Sequence, residues 1–239
     1  MKMQAPVFAI QRSAERAYFD HGWLKTYHSF SFADYYDPNN QHWGALRVLN
    51  DDRIAAGEGF PLHPHRDMEI LTYVLSGELE HKDSMGNQGV VGPGGVQYMS
   101  AGTGVRHSEF NHSATTELHL VQMWVLPQKA GFTPQYGQKD YTIDERRGKW
   151  LFVASGRDGA QAPIRLWQDA SFYVARSEGA SLEYSFAPGR LGFFFVAGGE
   201  VQANTELLRE GDAVRIAGLN SLEVSGRGEL LLWDLPPAG

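Results

Sequence analysis

Two short patterns in this chain could bring metal donors together. His63-Pro64-His65 sets two imidazoles at i and i+2, and His107-Ser108-Glu109 sets an imidazole and a carboxylate at the same spacing. In a β-strand, side chains two residues apart share a face, so each pair would present both donors to one side. The pairs stand 107 − 65 = 42 residues apart, room for a strand, a hairpin and a return. Facing one another across a small antiparallel barrel, they would offer three nitrogens and one oxygen, a set suited to a divalent transition metal. Four protein ligands on a six-coordinate ion leave two positions open. That suits chemistry on a small molecule better than a closed structural zinc site does. Either pair alone is a weak signal, because strands near turns also carry solvated histidines.

Other side chains compete for the same role. All nine histidines fall within the first 119 residues, so any imidazole chemistry belongs to the N-terminal half. His119 shares a strand face with Val121, Met123 and Val125 and follows Glu117 by two residues, so it could line the same cavity. His81 follows Leu79 on one face and ends a strand. His21, His28, His42 and His112 sit in loop-like or aromatic segments and read as packed or solvated.

The elements that must position these residues are strands. Ile70–Leu75, Leu118–Leu126, Gly192–Ala197 and Glu229–Leu235 are rich in aromatic and branched residues and are bounded by Gly, Pro, Asn and Asp clusters. Turn signals recur at short intervals, as in sandwiches and barrels; Ser13 to Tyr18 is one short helical candidate. The halves also resemble each other. Val74-Leu-Ser-Gly77-Glu-Leu79 matches Val196-Ala-Gly-Gly199-Glu-Val201, and Leu120-Val-Gln-Met-Trp124 matches Leu230-Leu-Leu-Trp233 in layout. The expected fold is all-β, two β-barrels in tandem over residues 1–130 and 131–239, joined through the polar stretch Gln128–Lys139. Carried into the second copy, the four donor positions fall on Ser185, Ala187, Glu223 and Ser225, a set that cannot chelate; one barrel should bind metal and the other should not.

Composition narrows the function further. The 239 residues fit one large domain or two small ones. Lys plus Arg is 21 and Asp plus Glu is 28, a net charge of −7, which argues against direct nucleic-acid contact or a basic membrane surface. The absence of cysteine excludes disulfide scaffolds, thiolate zinc, iron–sulfur sites and cysteine catalysis. No apolar run reaches 18 residues, and none of signal-peptide length precedes Arg12 and Glu15. The expectation is a cytoplasmic chain, with the sequon at Asn111 accidental and a monomer suited to the two-barrel plan.

The spacing Gly57-x5-His63-x-His65-x3-Glu69-x7-Gly77, followed by Gly95-x11-His107-x-Glu109-x-Asn111, resembles the two cupin motifs. The departures, one extra residue before Gly77 and Gly102 in place of the usual Pro, fall in turns. The resemblance narrows with His21-Gly-Trp-Leu24, Ser29-Phe-Ser-Phe-Ala33, Leu46-Arg-Val-Leu-Asn-Asp-Asp52, Gly59–Ile70 and Met99–Glu109, which closely resemble the pirin family. Its bacterial members are bicupins with jelly-roll-like barrels and quercetin 2,3-dioxygenase activity.

The resemblance places metal ligands on His63, His65, His107 and Glu109, with Fe(II) the usual ion and Mn, Ni, Co, Cu or Zn tolerated. It implies a flavonol-like aromatic substrate and O2, with Glu109 both ligand and general base. Glu69, the acid of the first cupin motif, reads as a partner orienting a ligand or as a plain carboxylate. The same family also implies an alternative, an iron-binding regulator acting through a protein partner; another cupin activity on an unknown metabolite is the third reading.

Overall fold

The computed structural model describes residues 6–237. Strands β1 (Val7–Gln11), β2 (Ala17–Asp20), β3 (Leu24–His28), β4 (Leu46–Ile54), β5 (Gly59–His65) and β6 (Glu69–Ser76) come first. They are followed by β7 (Leu79–Asp83), β8 (Gln88–Val91), β9 (Val96–Ser100), β10 (Val105–Asn111), β11 (Leu118–Val125) and β12 (Gln135–Lys139). The rest of the chain forms β13 (Leu151–Ser155), β14 (Ile164–Arg165), β15 (Ser171–Glu178), β16 (Leu182–Ser185) and β17 (Leu191–Ala203), then β18 (Glu206–Arg209), β19 (Ala213–Ala217) and β20 (Ser221–Leu235). The four expected strands lie within β6, β11, β17 and β20, with Leu75 and Ala197 inside and Leu126 just past an end. The expected helix at Ser13–Tyr18 is a single 3-10 turn over Ser13–Glu15, because Ala17 already opens β2 against His28 of β3. The one α-helix among the described residues, α1 (Ile143–Arg146), is a single turn held by a Thr142/Glu145 capping box. No helix of the described residues is long and apolar enough to cross a membrane.

The all-β tandem plan holds, but its units are not the contiguous halves 1–130 and 131–239. One unit holds Ala17–His42 and Leu46–Tyr141; the other holds the described residues through Arg16, Trp43–Ala45 and those from Thr142 onward. Two pairings move the boundary. β1 is the outermost strand beside β19, from Val7↔Ala217 to Gln11↔Ala213, and β12 extends the first unit's sheet along β9.

The first unit has a seven-stranded sheet, β12-β9-β6-β11-β4-β3-β2, and a four-stranded sheet, β5-β10-β7-β8. Alternation along the larger sheet sorts its inner face into layers. Leu24, Ile54, Val74, Leu118 and Leu120 pack with Leu79 and Val91 as one apolar layer, and Ile70, Met99 and Val105 pack with Trp124 as another. One cross-strand row is polar throughout: His28 stands opposite Asn50, Asn50 opposite Gln122, Gln122 opposite Thr72, and Thr72 opposite Gln97. All five are buried. A polar row costs stability inside a barrel, so its members need partners.

The second unit is a nine-stranded sheet curled around an apolar interior that includes Phe194, Val196, Leu208, Val214, Leu222, Val224, Leu230 and Leu232. Its turn glycine repeats that of the first unit. Gly77 and Gly199 have φ of +80° and +86°, and a Cβ at either would lie within 3.0 Å of backbone atoms, those of Glu117 and Leu118 or of Arg227 and Gly228. Only glycine fits both the left-handed backbone and the close approach.

Candidate metal centre

The donors are assembled by two strands that pair directly. β10 runs antiparallel to β5 with His107 opposite His63 and Val105 opposite His65. The register slips between His107 and Glu109, so that Glu109 stands opposite Phe60. Pro61, in that slip, has no N–H to contribute, and β5 is the outer strand of its sheet, where Pro61 and Pro64 cost no ladder bond. Gly59 is required by the same pairing: a Cβ there would lie 2.3 Å from the Glu109 carbonyl oxygen and 2.5 Å from Phe110 Cα.

Three imidazoles converge as a result. Ring centroids are 4.8 Å apart for His63 and His65, 4.5 Å for His63 and His107, and 4.8 Å for His65 and His107. One ligand atom from each of these rings lies within 4.8 Å of the others, and the same holds for His81, His107 and Glu109. His107 Nε2 is 3.0 Å from His63 Nε2 and 3.9 Å from Glu109 Oε2. Adjacent ligands on an octahedral ion with bonds of about 2.1 Å lie about 3.0 Å apart and opposite ones about 4.2 Å. The donor spacing fits one small ion.

Tautomers, assigned from hydrogen-bond partners, give the same answer. His63 Nδ1 lies 2.7 Å from the Pro61 carbonyl oxygen, which can only accept, so Nδ1–H donates and Nε2 carries the lone pair. Behind His107 stands a chain of two more groups. His107 Nδ1 is 3.4 Å from His81 Nδ1, and His81 Nε2 is 3.2 Å from Asp83 Oδ2. Burial alone would raise the Asp83 carboxyl. Hydrogen bonds from Asn87, His81 and the Met85 N–H outweigh it and hold Asp83 below the usual carboxylate range. Asp83 accepts a hydrogen bond from His81 Nε2–H, His81 Nδ1 then accepts from His107 Nδ1–H, and His107 Nε2 is left with a lone pair. In that tautomer the two Nε2 lone pairs face each other at 3.0 Å, ready to share a cation; without one, a proton moved to His107 Nε2 can bridge them.

Glu109 is held by the polar row. Gln97 Nε2 donates to its Oε1 at 3.0 Å and Gln122 Nε2 to its Oε2 at 2.8 Å. Gln122 is fixed in turn by Trp124 Nε1, which donates to its Oε1 at 3.1 Å. The Trp124 ring stands edge-on to His65 at 4.9 Å and to Phe32 at 5.2 Å. These groups border a cavity of about 160 Å³ lined by His63, His65, Glu109, Phe32, Phe60 and Trp124 among others. His63 and His65 are half-buried, whereas His107 and Glu109 are buried. Burial first, then repulsion from the neighbouring imidazoles, lowers His65 to about 4 and His107 to about 3. Both are neutral donors at pH 7.

Of the residues singled out in the sequence, His63, His65, His107 and Glu109 meet in this place. His119 does not: it lies on the opposite face of β11, 2.7 Å through Nε2 from Asp51 Oδ1. Glu69 belongs to neither cluster; it is buried and accepts from Tyr98 and Ser100 hydroxyls at 2.7 and 2.6 Å. His81 and Asp83 are the partners that sequence reasoning undervalued. Their signal was a third i, i+2 pair, His81-x-Asp83, and β7 pairs with β10 so that Glu109 stands opposite His81 and His107 opposite Asp83. Ser185, Ala187, Glu223 and Ser225, onto which the repeat carries the four donor positions, include one carboxylate and no imidazole.

Comparison with known proteins agrees with this layout. Residues 9–125 match the family profile described as Pirin, and residues 155–235 match the one described as Quercetinase C-terminal cupin domain. The chain is 44% identical over 232 residues to a quercetin 2,3-dioxygenase of Escherichia coli K12, covering 95% of this chain and 98% of that one. It is 44% identical over 220 residues to a pirin-like protein of Caulobacter vibrioides, covering 90% and 94%. The crystal structure of the E. coli bacterial pirin YhhW in complex with nickel(II) superposes with a TM-score of 0.88 at 42% identity, covering 96% of this chain and 99% of that one. The structure of GK1651 from Geobacillus kaustophilus, at 22% identity and a TM-score of 0.81, shares the fold. The chain belongs to the pirin family.

Proposed function

We propose that this chain is a metal-dependent dioxygenase of flavonol-type aromatics, with one divalent transition metal, Fe(II) in the cell, held by His63, His65, His107 and Glu109. The observation that carries the reading is the convergence of three imidazoles beside a buried carboxylate, with His107 Nε2 3.0 Å from His63 Nε2 and 3.9 Å from Glu109 Oε2, at the wall of an aromatic-lined cavity. The names of the relatives and the nickel(II) complex of the E. coli pirin support the choice of substrate class and of a transition metal.

When bound, the ion would supply Lewis acidity toward the substrate's enolic oxygen and redox capacity toward O2. The protein does the rest. His63 and His107 present their Nε2 atoms while their Nδ1 atoms face the Pro61 carbonyl and His81, so binding needs little reorganisation, and His65 completes the imidazole face. Glu109 takes the substrate's 3-hydroxyl proton at Oε2. Gln97 and Gln122 each use one lone pair of the carboxylate, and the remaining ones are available to the cavity. Phe32, Phe60 and Trp124 receive the flat faces of the rings and exclude water from the deprotonated oxygen.

The test is loss of flavonol absorbance under air with Fe(II)- or Ni(II)-loaded protein, beside chelator-treated protein and Glu109→Gln. Consumption is expected only in the loaded wild type. Turnover that survives complete metal removal would overturn the reading. A loaded protein inert toward every flavonol tried would favour a role through a protein partner.

A further inference from the structure

Part of the polar row has no task in holding Glu109. Gln97 and Gln122 hold the carboxylate, but Asn50 and its diagonal neighbour Thr26 do not. Both line the same cavity, on β4 and β3. Thr26 is 2% and Asn50 3% exposed, and neither Thr26 Oγ1 nor Asn50 Oδ1 has a hydrogen-bond partner in the protein. A buried acceptor without a partner costs about 1–3 kcal/mol. Val and Leu would fill these positions at similar volume without that cost. Leu24, two residues before Thr26, and Ile54, four residues after Asn50, show that apolar side chains fit this face, while Asp52, opposite Thr26 and also lining the cavity, adds a third buried oxygen-bearing side chain. Core packing therefore does not account for an oxygen at either place.

Asn50 also has a definite address. It stands in register opposite Gln122, whose amide touches Glu109, and in-register neighbours on an antiparallel pair are about 5 Å apart. A ligand oxygen at Glu109 thus leaves the rest of a flat ring within reach of Asn50 Oδ1 and Thr26 Oγ1, between the apolar surfaces of Leu24, Phe32 and Phe60. Asn50 Oδ1 can only accept a hydrogen bond, and Thr26 Oγ1 can accept one as well. The group they fit is a hydroxyl.

We propose that Thr26 and Asn50 form a hydroxyl-recognising subsite, so that the cavity selects polyhydroxylated aromatics over those bearing only the enolic oxygen. This rests on the reading of the cavity as a substrate site. The test compares quercetin with 3-hydroxyflavone, which lacks the additional ring hydroxyls, by calorimetric binding to the full chain, both metal-free and Ni(II)-loaded. Wild type should prefer quercetin. Thr26→Val and Asn50→Leu should each narrow that preference about five- to tenfold, the worth of one hydrogen bond to a buried group, and Thr26→Ser should restore it. Should Asn50→Leu fail to fold, Asn50→Ala takes its place. A preference retained within twofold by both folded variants, or absent from the wild type, overturns the proposal. Flavonols that bind with this preference but are never consumed would refute the dioxygenase reading and leave the subsite standing.

Discussion

Replacing His81 by Leu should weaken metal binding although His81 is not one of the four ligands of the proposal. The structure supplies the magnitude. His81 is fully buried, and its Nδ1 is the acceptor for the proton on His107 Nδ1. Without it, that buried N–H loses its partner, at about 1–3 kcal/mol. The 3.4 Å contact is long, so the lower half of that range applies, about 1–2 kcal/mol, or roughly five- to thirtyfold in affinity. Most of this falls on the loaded state. In metal-free protein, His107 can move its proton to Nε2 and donate to His63 Nε2, 3.0 Å away, and metal must then reverse that tautomer. The loop beyond β7 should survive, because Asp83 still accepts from Met85 N, Asn87 N and Asn87 Nδ2, each at 2.9 Å. Asp83→Asn should act in the same direction by releasing the His81 tautomer. The assay is competition for Ni(II) against a chromophoric chelator, with thermal melting of the metal-free protein alongside. His119→Leu, which alters a histidine on the opposite face of β11, is the control. If His81→Leu melts normally and binds Ni(II) within twofold of wild type, the chain Asp83–His81–His107 does not orient the ligand.

Three further outcomes follow from the same geometry. Glu109→Gln should fold and bind metal more weakly without consuming flavonol: Trp124 pins Gln122, but Gln97 Oε1 has no partner and its amide can flip to accept from the new Gln; a melting temperature that collapses would contradict this. Gly59→Ala should cost about 1–3 kcal/mol and most of the Ni(II) affinity, because its Cβ would meet the Glu109 carbonyl at 2.3 Å and part β5 from β10; wild-type affinity in that variant would refute the role given to the close approach. Metal-free protein should lose stability as pH falls from about 6.5 toward 4. Unfolded histidines take up protons in that range, while folded His65 and His107 refuse them until about 4 and about 3, so the unfolded state binds more protons. His65 alone accounts for on the order of 3 kcal/mol by pH 4, and a urea midpoint that stays flat from pH 7 to 4.5 would count against the neutral imidazoles.

Much of this was legible in the sequence because β-strands convert spacing into direction. His63-x-His65 and His107-x-Glu109 had to share faces, and the glycine turns at 77 and 199 marked the repeat. What was hidden depended on pairing rather than on pattern. His119 and Gln122 lie three apart on β11 and so face opposite ways, a fact that follows from alternation once one of them is tied to the inner face. Nothing in the spacing said which one. His81 looked like a strand end, and only its position opposite Glu109 on β10 makes it the support of His107. The discontinuous units were hidden for the same reason: β1 pairs with β19, more than 200 residues away in sequence, and no local signal encodes that.

The two units show what a functional site costs a barrel. The second fills its interior with Phe194, Val196, Leu222, Leu230 and similar side chains, each stabilising the fold through buried apolar area. The first gives one whole cross-strand row to His28, Asn50, Gln122, Thr72 and Gln97, and aims three imidazoles and a carboxylate at it. By the same area reasoning, that row contributes little to folding and must be carried by the apolar layers around Ile54 and Met99. Isosteric apolar replacements within it, Asn50→Leu or Thr72→Val, should therefore raise the melting temperature of metal-free protein. A fall in both would mean that the row is a structural network and not a surface kept polar for its ligand.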